Sequence, residues 1–211
     1  MRPATVRQLV YWFLKRLVDI VGSALLLVVL SPILLVIAIA IAFDSGLPVI
    51  YRCQRIGRYG RPIIVLKFRT MRDGSHHHLE EMLTADEELR LEYGQRRKLR
   101  DDPRRTRVGG FLRRTSLDEL PQLVNVLAGE MSLIGPRPYM PGELTNRPEA
   151  DLILATRPGI TGLWQVNGRS DRTFDERVAL DVEYIERHGF RMDVSIALRT
   201  FVAVISGRGA Y

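Results

Sequence analysis

The stretch Ile20–Phe43 reads IVGSALLLVVLSPILLVIAIAIAF and carries no charge between Asp19 and Asp44. As one α-helix it would be about 36 Å long, enough to cross a hydrocarbon core of about 30 Å. Helices this long that are apolar on every face belong in lipid, not on the surface of a small soluble domain. The segment is therefore expected to enter a membrane, and the rest of the chain is read outward from it.

Ser31-Pro32 stands at its centre. Pro32 has no N–H for the carbonyl of Val28, and its ring crowds that carbonyl, so a kink or break is predicted there. Ser31 can bond a freed carbonyl and lower the cost in lipid. Arg2, Arg7, Lys15 and Arg16 precede the segment, and Arg52, Arg55, Arg58, Arg61, Lys67, Arg69 and Arg72 follow it. Basic flanks favour the cytoplasmic side, and a single span can place only one end there. A helix–break–helix that dips into one leaflet and returns satisfies both ends, so a re-entrant hairpin is predicted over a span.

The 211 residues suit one domain, with residues 1–44 as its membrane element and 45–211 as a cytosolic part large enough for a core. Lys and Arg total 31 against 24 Asp and Glu, a net charge of +7. This balance suits an anionic membrane surface, phosphorylated substrates or nucleic acid. Beside the apolar stretch the first two lead, and no nucleic-acid partner is expected. Cys53 is the single cysteine, which excludes a disulfide framework and a cysteine zinc site and fits a reducing cytosol. The apolar run is too long for a signal peptide and lacks a convincing cleavage site, so it is expected to stay attached.

Residues 5–18 interleave Tyr11, Trp12 and Phe13 with Arg7, Lys15 and Arg16, the composition of an interfacial helix. Residues 49–57 and 61–71 predict two short strands around the turn Arg58-Tyr59-Gly60. That hairpin either lies on headgroups or sets Lys67 and Arg69 against a phosphate. His76-His77-His78 falls in a polar stretch and is read as a solvated loop or helix start, since consecutive side chains do not converge on one ion. Residues 79–100 predict a solvated helix, and residues 101–110 break it.

Residues 111–138, FLRRTSLDELPQLVNVLAGEMSLIGPRP, carry the most information. Ser116 and Glu119 have capping-box spacing, with Pro121 in the first turn of the helix that follows. Asp118 and Glu119 would point about 100° apart on such a helix, one toward a reacting atom and one toward a metal. Acids in a first turn can equally do no more than complement the dipole. Arg113 and Arg114 lie one turn upstream, and the turn Gly135–Pro138 presents Arg137. Carboxylates, arginines and a helix start together suit phosphoryl chemistry. Residues 157–171 form a glycine-rich loop with Trp164, Gln165 and Asn167, as a ligand-binding loop does. Residues 174–190 predict an amphipathic helix; Arg169 and Asp181 are site candidates, or partners in surface ion pairs. The apolar tail, with Arg199 and Arg208, is expected to pack on the domain and the interface together.

These segments resemble the bacterial sugar transferases, monotopic polyprenyl-phosphate phosphoglycosyl transferases. The likeness runs in order from KRLVDIVGSALLLVVLSPILL through KFRTM, RRTSLDELPQLVNVLAGEMSLIGPRP and RPGITGLWQVNGRS to FDERVALDVEYI, nearly the whole chain. It implies an α+β, predominantly helical fold with a re-entrant membrane hairpin, amphipathic interfacial helices and a small β element. It implies Asp118 as nucleophile and Glu119 as its neighbour at a Mg²⁺ ion. Arg113, Arg137 and Arg169 match the family's site arginines, Asp193 its late aspartate, and Ser31-Pro32 the break of its re-entrant helix.

The implied reaction moves a sugar-1-phosphate from a UDP-sugar to undecaprenyl phosphate, with UMP as leaving group and a phosphosugar held on Asp118. Membrane lipids are the implied surroundings, at the bacterial cytoplasmic membrane with the domain facing the cytoplasm. Larger relatives carry further N-terminal helices and another domain. The C-terminal residues, including GRGAY at 207–211, lean toward a galactose or glucose donor for exopolysaccharide or O-antigen; N-acetylated and diacetamido sugars stay open. Three rivals stand beside this reading: a membrane-tethered module that binds anionic ligands without chemistry, a non-catalytic assembly subunit, and direct transfer with no covalent intermediate. Basic, partly apolar elements at both ends could pair in a homodimer.

Overall fold

The computed structural model describes residues 6–72, 75–96, 99 and 101–206. Arg2, Arg208 and residues 207–211, which entered the reading above, lie outside them. Helix α1, Val6–Ser45, contains Pro32 and is one helix throughout, about 60 Å long at 1.5 Å per residue. The two separate helices expected around Ser31-Pro32 are thus a single element. Ser31 Oγ donates to the carbonyl of Val28 at 2.8 Å, the acceptor that Pro32 cannot serve. The predicted compensation is there, and it carries the helix through the proline.

The centre of α1 is bare, with Leu25, Val28, Val29, Leu35 and Val36 exposed, whereas both ends are bonded to the body of the protein. At the N-terminal end Tyr11 and Lys15 bond Asp193, and Arg16 donates to the carbonyls of Val126 and Leu127. Asp19 Oδ1 accepts from Ser132 Oγ and Leu133 N. At the other end Ile37 and Ile41 pack with Phe68 and Leu112, and Asp44 accepts from Val108 N. The predicted interfacial start is therefore two-faced: Phe13 is exposed, while Tyr11 and Lys15 are buried.

Strands β1 (Ile50–Ile56) and β2 (Pro62–Phe68) pair antiparallel, with Cys53 opposite Val65. The expected turn joins them as a 3₁₀ segment Arg58–Gly60, with Tyr59 and Gly60 at positive φ. Ile63 and Val65 bury against Val126 and Met131, so the hairpin is part of the core. Helices α2 (Ser75–Ala85) and α3 (Glu87–Arg96) replace the single helix predicted over 79–100. Asp86 divides them: its Oδ1 accepts from Glu88 N and Leu89 N, which starts a new helix. The His76–His78 run opens α2.

Thr106 caps α4 (Arg107–Thr115) by accepting from Gly109 N. Helix α5 (Gln122–Ala128) follows, then β3 (Ser132–Ile134), α6 (Ala150–Leu154), β4 (Gly159–Thr161) and α7 (Leu163–Val166). Strands β3 and β4 pair in parallel, a sheet the sequence did not announce. A Cβ on Gly159 would sit 2.1 Å from Gly135 N, so the start of β4 and the chain just after β3 touch backbone to backbone. Helices α8 (Phe174–Arg187) and α9 (Phe190–Ser206) close the chain, α8 with a capping box between Thr173 and Glu176. Tyr139, Leu163, Val178, Tyr184 and Ile196 form the core here, while Val194, Leu198, Phe201 and Val202 leave one face of α9 apolar and exposed.

Candidate active site

Helix α4 ends at Ser116, whose φ of 57° is left-handed and whose N–H donates to the carbonyls of Leu112 and Arg113. Ser116 therefore closes the helix before it and does not open the next. A capping box needs an extended N-cap, and the Ser116 side chain makes no cap hydrogen bond. Glu119 bonds Ser116 through its backbone N–H alone, at 3.2 Å. The predicted capping box is thus replaced by a 3₁₀ turn, Leu117–Glu119, with α5 starting behind Pro121.

This turn sends the two carboxylates to different places, since successive 3₁₀ residues differ by about 120°. Asp118 is buried at 9 % exposure. Glu119 faces β2, where Lys67 Nζ meets its Oε1 at 2.7 Å. Arg113 donates from Nε to Thr70 Oγ1 at 3.0 Å. Burial pulls the Arg113 pKa down, and the charges of Asp118 and Asp102 pull it back up. Arg169 behaves alike: burial lowers it, and Glu119 and Asp118 oppose that. Asp118, Glu119, Lys67, Arg113 and Arg169 therefore share one electrostatic neighbourhood, drawn from β2, the 3₁₀ turn, α4 and the loop after α7.

Arg169 is held in an unusual backbone state, φ 50°, directly after Gly168 at φ 114°. Its Nη1 is buried with no hydrogen-bond partner among the described residues. A buried guanidinium N–H left open beside two carboxylates is a donor waiting for an acceptor. Left-handed backbone in a non-glycine residue costs free energy and is characteristic of functional positions.

Three residues outside the expected set build this site. Asn125, in the middle of α5, places its amide on the free edge of β2: Oδ1 accepts from Leu66 N at 3.0 Å, and Nδ2 donates to Ile64 O at 2.7 Å. It stands in for a third strand and fixes α5, the helix that follows the turn of the Asp118-Glu119 dyad, against β2. Thr70 orients Arg113. Gly109 allows α4 to reach Thr70, because a Cβ there would lie 2.1 Å from the Thr70 carbonyl oxygen. A lone Asn inside an apolar helix was the one legible signal among them. Arg69, paired with Lys67 in the phosphate reading, instead reaches the end of α1.

Arg137, Asp181 and Asp193 lie in other groups. Arg137 bonds Glu143 at 3.3 Å and stands over the rings of Tyr139 and Trp164. Asp181, fully buried on α8, accepts from Arg137 N at 3.1 Å and Tyr139 Oη at 2.7 Å, and so holds the turn that carries Arg137. Burial pushes its pKa up to about 7, against both hydrogen bonds and the Arg137 charge. Asp193 accepts from Tyr11, Lys15 and Tyr184, which ties α9 and α8 to the start of α1. Its observed bonds are those of a structural junction. A cleft of about 600 Å³ between α8 and α9 is lined by Asn167, Arg172, Glu176, Met192 and Arg199, and neither carboxylate of the dyad lines it.

Comparison with known proteins bears on the whole chain. The profile of the bacterial sugar transferase family matches residues 10–207. An undecaprenyl-phosphate galactose phosphotransferase of Salmonella typhimurium is 44% identical over 200 residues, 94% of this chain and 42% of the relative. A UDP-galactose-lipid carrier transferase of Erwinia amylovora is 44% identical over 200 residues, with the same coverage. The exopolysaccharide production protein ExoY of Rhizobium meliloti is 41% identical over 198 residues, 93% of this chain and 88% of the relative. The chain thus spans about two fifths of the first two relatives and most of the third. Its sequence and that of ExoY align over most of both chains, and Asp118, Glu119, Arg137, Arg169 and the apolar stretch Ile20–Phe43 all fall inside the residues that match the family. This chain belongs to the bacterial sugar transferase family.

Proposed function

We propose that this protein transfers a hexose-1-phosphate from a UDP-sugar, of galactose or glucose type, to undecaprenyl phosphate and releases UMP. The observation that carries the reading is a buried aspartate, Asp118, near enough to feel the charges of both Arg113 and Arg169, with Glu119 paired to Lys67 beside it. The names of the relatives supply the substrate class. In the proposed sequence an Asp118 carboxylate oxygen attacks the β-phosphorus of the donor, and the bond to the bridging oxygen breaks. UMP leaves with that electron pair, and a phosphosugar remains on Asp118. A phosphate oxygen of the lipid then attacks the same phosphorus, and Asp118 departs as carboxylate. Splitting the transfer spares the site from holding two anionic substrates together.

The open Nη1 of Arg169 is suited to a non-bridging phosphate oxygen, and Arg113 and Lys67 supply further positive charge. Mg²⁺ fits the donor set. The ion prefers oxygen ligands and needs only one or two carboxylates when substrate phosphates complete its shell. Glu119 would hold it, beside Asp118; when bound, the ion neutralises charge on the diphosphate.

The same reading places α1 in one leaflet, returning at Pro32, with the domain on the cytoplasmic face. Both ends of the apolar segment are bonded to one body, Asp19 to Ser132 and Asp44 to Val108, and both flanks are basic. A span with its ends on opposite sides would have to break one of these attachments. A return at Pro32 requires α1 to bend there, where the missing Pro32 N–H leaves the ladder one bond short.

The test is UMP release from a panel of UDP-sugars, with purified protein, Mg²⁺ and undecaprenyl phosphate, for wild type and Asp118→Asn. Release with one hexose donor and silence in the variant is the expected result. Unchanged release in the variant would remove Asp118 from the mechanism; silence of folded wild type with every donor would favour a binding role.

A further inference from the structure

Four consecutive residues, the last two of β2 and the two after it, touch the carboxylate turn, α1 and α4. Lys67 pairs with Glu119 at 2.7 Å. Phe68, buried at 4 % exposure, packs between Ile37 and Ile41 of α1 and Leu112 of α4. Arg69 turns its guanidinium onto the end of α1, donating to the carbonyls of Ser45, Gly46 and Leu47. Thr70 accepts from Arg113 and, through its carbonyl, from Thr106 N at 3.1 Å. The inner two of the four, Phe68 and Arg69, thus meet the membrane helix, and the outer two, Lys67 and Thr70, meet the charged site, within a single short piece of chain.

The Arg69 contact has a clear cause. A helix ends with backbone carbonyls that have no intrahelical donor and with the negative pole of its dipole. Here that end lies beside the apolar segment, where water is a poor substitute. Arg69 is buried at 6 % exposure, and its planar fork reaches three successive carbonyls and Ser45 Oγ. A lysine has a single nitrogen and cannot span them. The strand itself is pinned at the same point, because Arg69 N donates to Val49 O at 2.9 Å.

We infer that Arg69 is a positioning residue that registers the dyad against the membrane helix, and so sets the depth at which Asp118 meets a lipid-borne phosphate. The inference rests on the transferase reading for its substrate and on the geometry of residues 67–70 for its mechanism. Arg69 bears on the dyad through Lys67 and Thr70, whose positions follow from where the strand is tied. Loosening it should displace the charged site as a unit relative to α1, sparing its internal pairings and with them donor binding, while spoiling acceptor capture from a bilayer, in which the phosphate sits at fixed depth. In micelles, where the acceptor has no fixed depth, the loss should be smaller.

The experiment compares wild type with Arg69→Lys, using undecaprenyl phosphate presented either in lipid nanodiscs or in detergent micelles. Arg69→Lys should raise the KM for undecaprenyl phosphate in nanodiscs by about tenfold or more, the scale of one lost charge-assisted hydrogen bond. The KM for the UDP-sugar should not move, and the micelle defect should be several-fold smaller. A variant that merely folds less well would lower kcat equally in both media and leave both KM values alone, which would overturn the inference.

Gly46→Ala provides a second perturbation should the lysine variant fail to fold. Gly46 has φ +81° and its carbonyl is one that Arg69 reads, so the change disturbs the clasp from the other side. It should give the same selective rise in acceptor KM; an unchanged acceptor KM in nanodiscs would overturn the inference as well. Amide hydrogen exchange gives a readout free of turnover. In Arg69→Lys, exchange at residues 44–49 and at residues 112–120 should quicken together. Faster exchange confined to 44–49 would show that the clasp does not reach the dyad. If no donor supports UMP release by wild type, the exchange result still decides the coupling, and only the transferase reading fails.

Discussion

Replacing Asn125 with alanine tests how α5, the helix behind the Asp118-Glu119 turn, is held against β2. The side chain is 4 % exposed and makes contacts at 3.0 Å to Leu66 N, 2.7 Å to Ile64 O and 2.7 Å to Glu130 Oε2. Alanine leaves the Leu66 N–H and the Ile64 carbonyl on the free edge of β2 with nothing in reach. Each unmet group costs about 1–3 kcal/mol, so the pair should cost about 3 kcal/mol. For a domain of this size that is a fall in Tm of about 9 °C.

Asn125→Asp sharpens the test. Its carboxylate still accepts from Leu66 N, yet presents a second oxygen to the Ile64 carbonyl and to Glu130. It should destabilise at least as much as alanine at neutral pH and recover part of the loss on acidification, when a protonated carboxyl regains a donor. Thermal melts in detergent across pH 5–8 provide the assay. An alanine variant within about 0.5 kcal/mol of wild type, the range of an ordinary surface change, would refute the claim that Asn125 clasps the strand.

Gly109→Ala should push α4 off Thr70, because its Cβ would lie 2.1 Å from a backbone oxygen. Overpacking of this kind costs about 1–3 kcal/mol; melting and UMP release should both fall, and a wild-type melt would contradict the close approach. Asp181 predicts a pH effect. Its folded pKa is raised to about 7 from 3.8, so the folded state holds a proton that the unfolded state has lost, and stability falls as pH rises between those values. The loss is on the order of 4 kcal/mol by pH 8. Asp181→Asn keeps an acceptor for Tyr139 and Arg137 and has no charge, so its melts should lack this fall; parallel pH profiles for the two proteins would refute it.

The sequence made the large features legible because each has a period or a composition. The apolar helix, the hairpin around Tyr59-Gly60 and the Asp118-Glu119 pair could all be read directly. The rest depended on contacts between distant segments. Ser116 was read as an N-cap because Ser-x-x-Glu spacing is local, but whether it opens one helix or closes another depends on its φ, which the tertiary fold sets. The β3–β4 pair is three residues per strand, below the length at which alternation can be seen. Proline at position 32 announced a break; Ser31 beside it bonds the carbonyl that Pro32 cannot serve, and one helical element runs through both. Arg69 and Lys67 look equivalent in the sequence; only the fold separates the one that grips α1 from the one that meets Glu119. Asp193 carried an expectation from the family resemblance, and its three partners tie it to Tyr11, Lys15 and Tyr184.

The central claim is that Asp118 itself carries the phosphosugar. The most direct measurement is mass spectrometry of the protein after brief incubation with the preferred UDP-hexose and Mg²⁺, with undecaprenyl phosphate withheld. The account predicts a gain of one hexose-phosphoryl group, mapped to the peptide containing Asp118, lost when undecaprenyl phosphate is added and never formed by Asp118→Asn. An active enzyme that shows no adduct under these conditions, or one that carries it on another residue, would contradict the account.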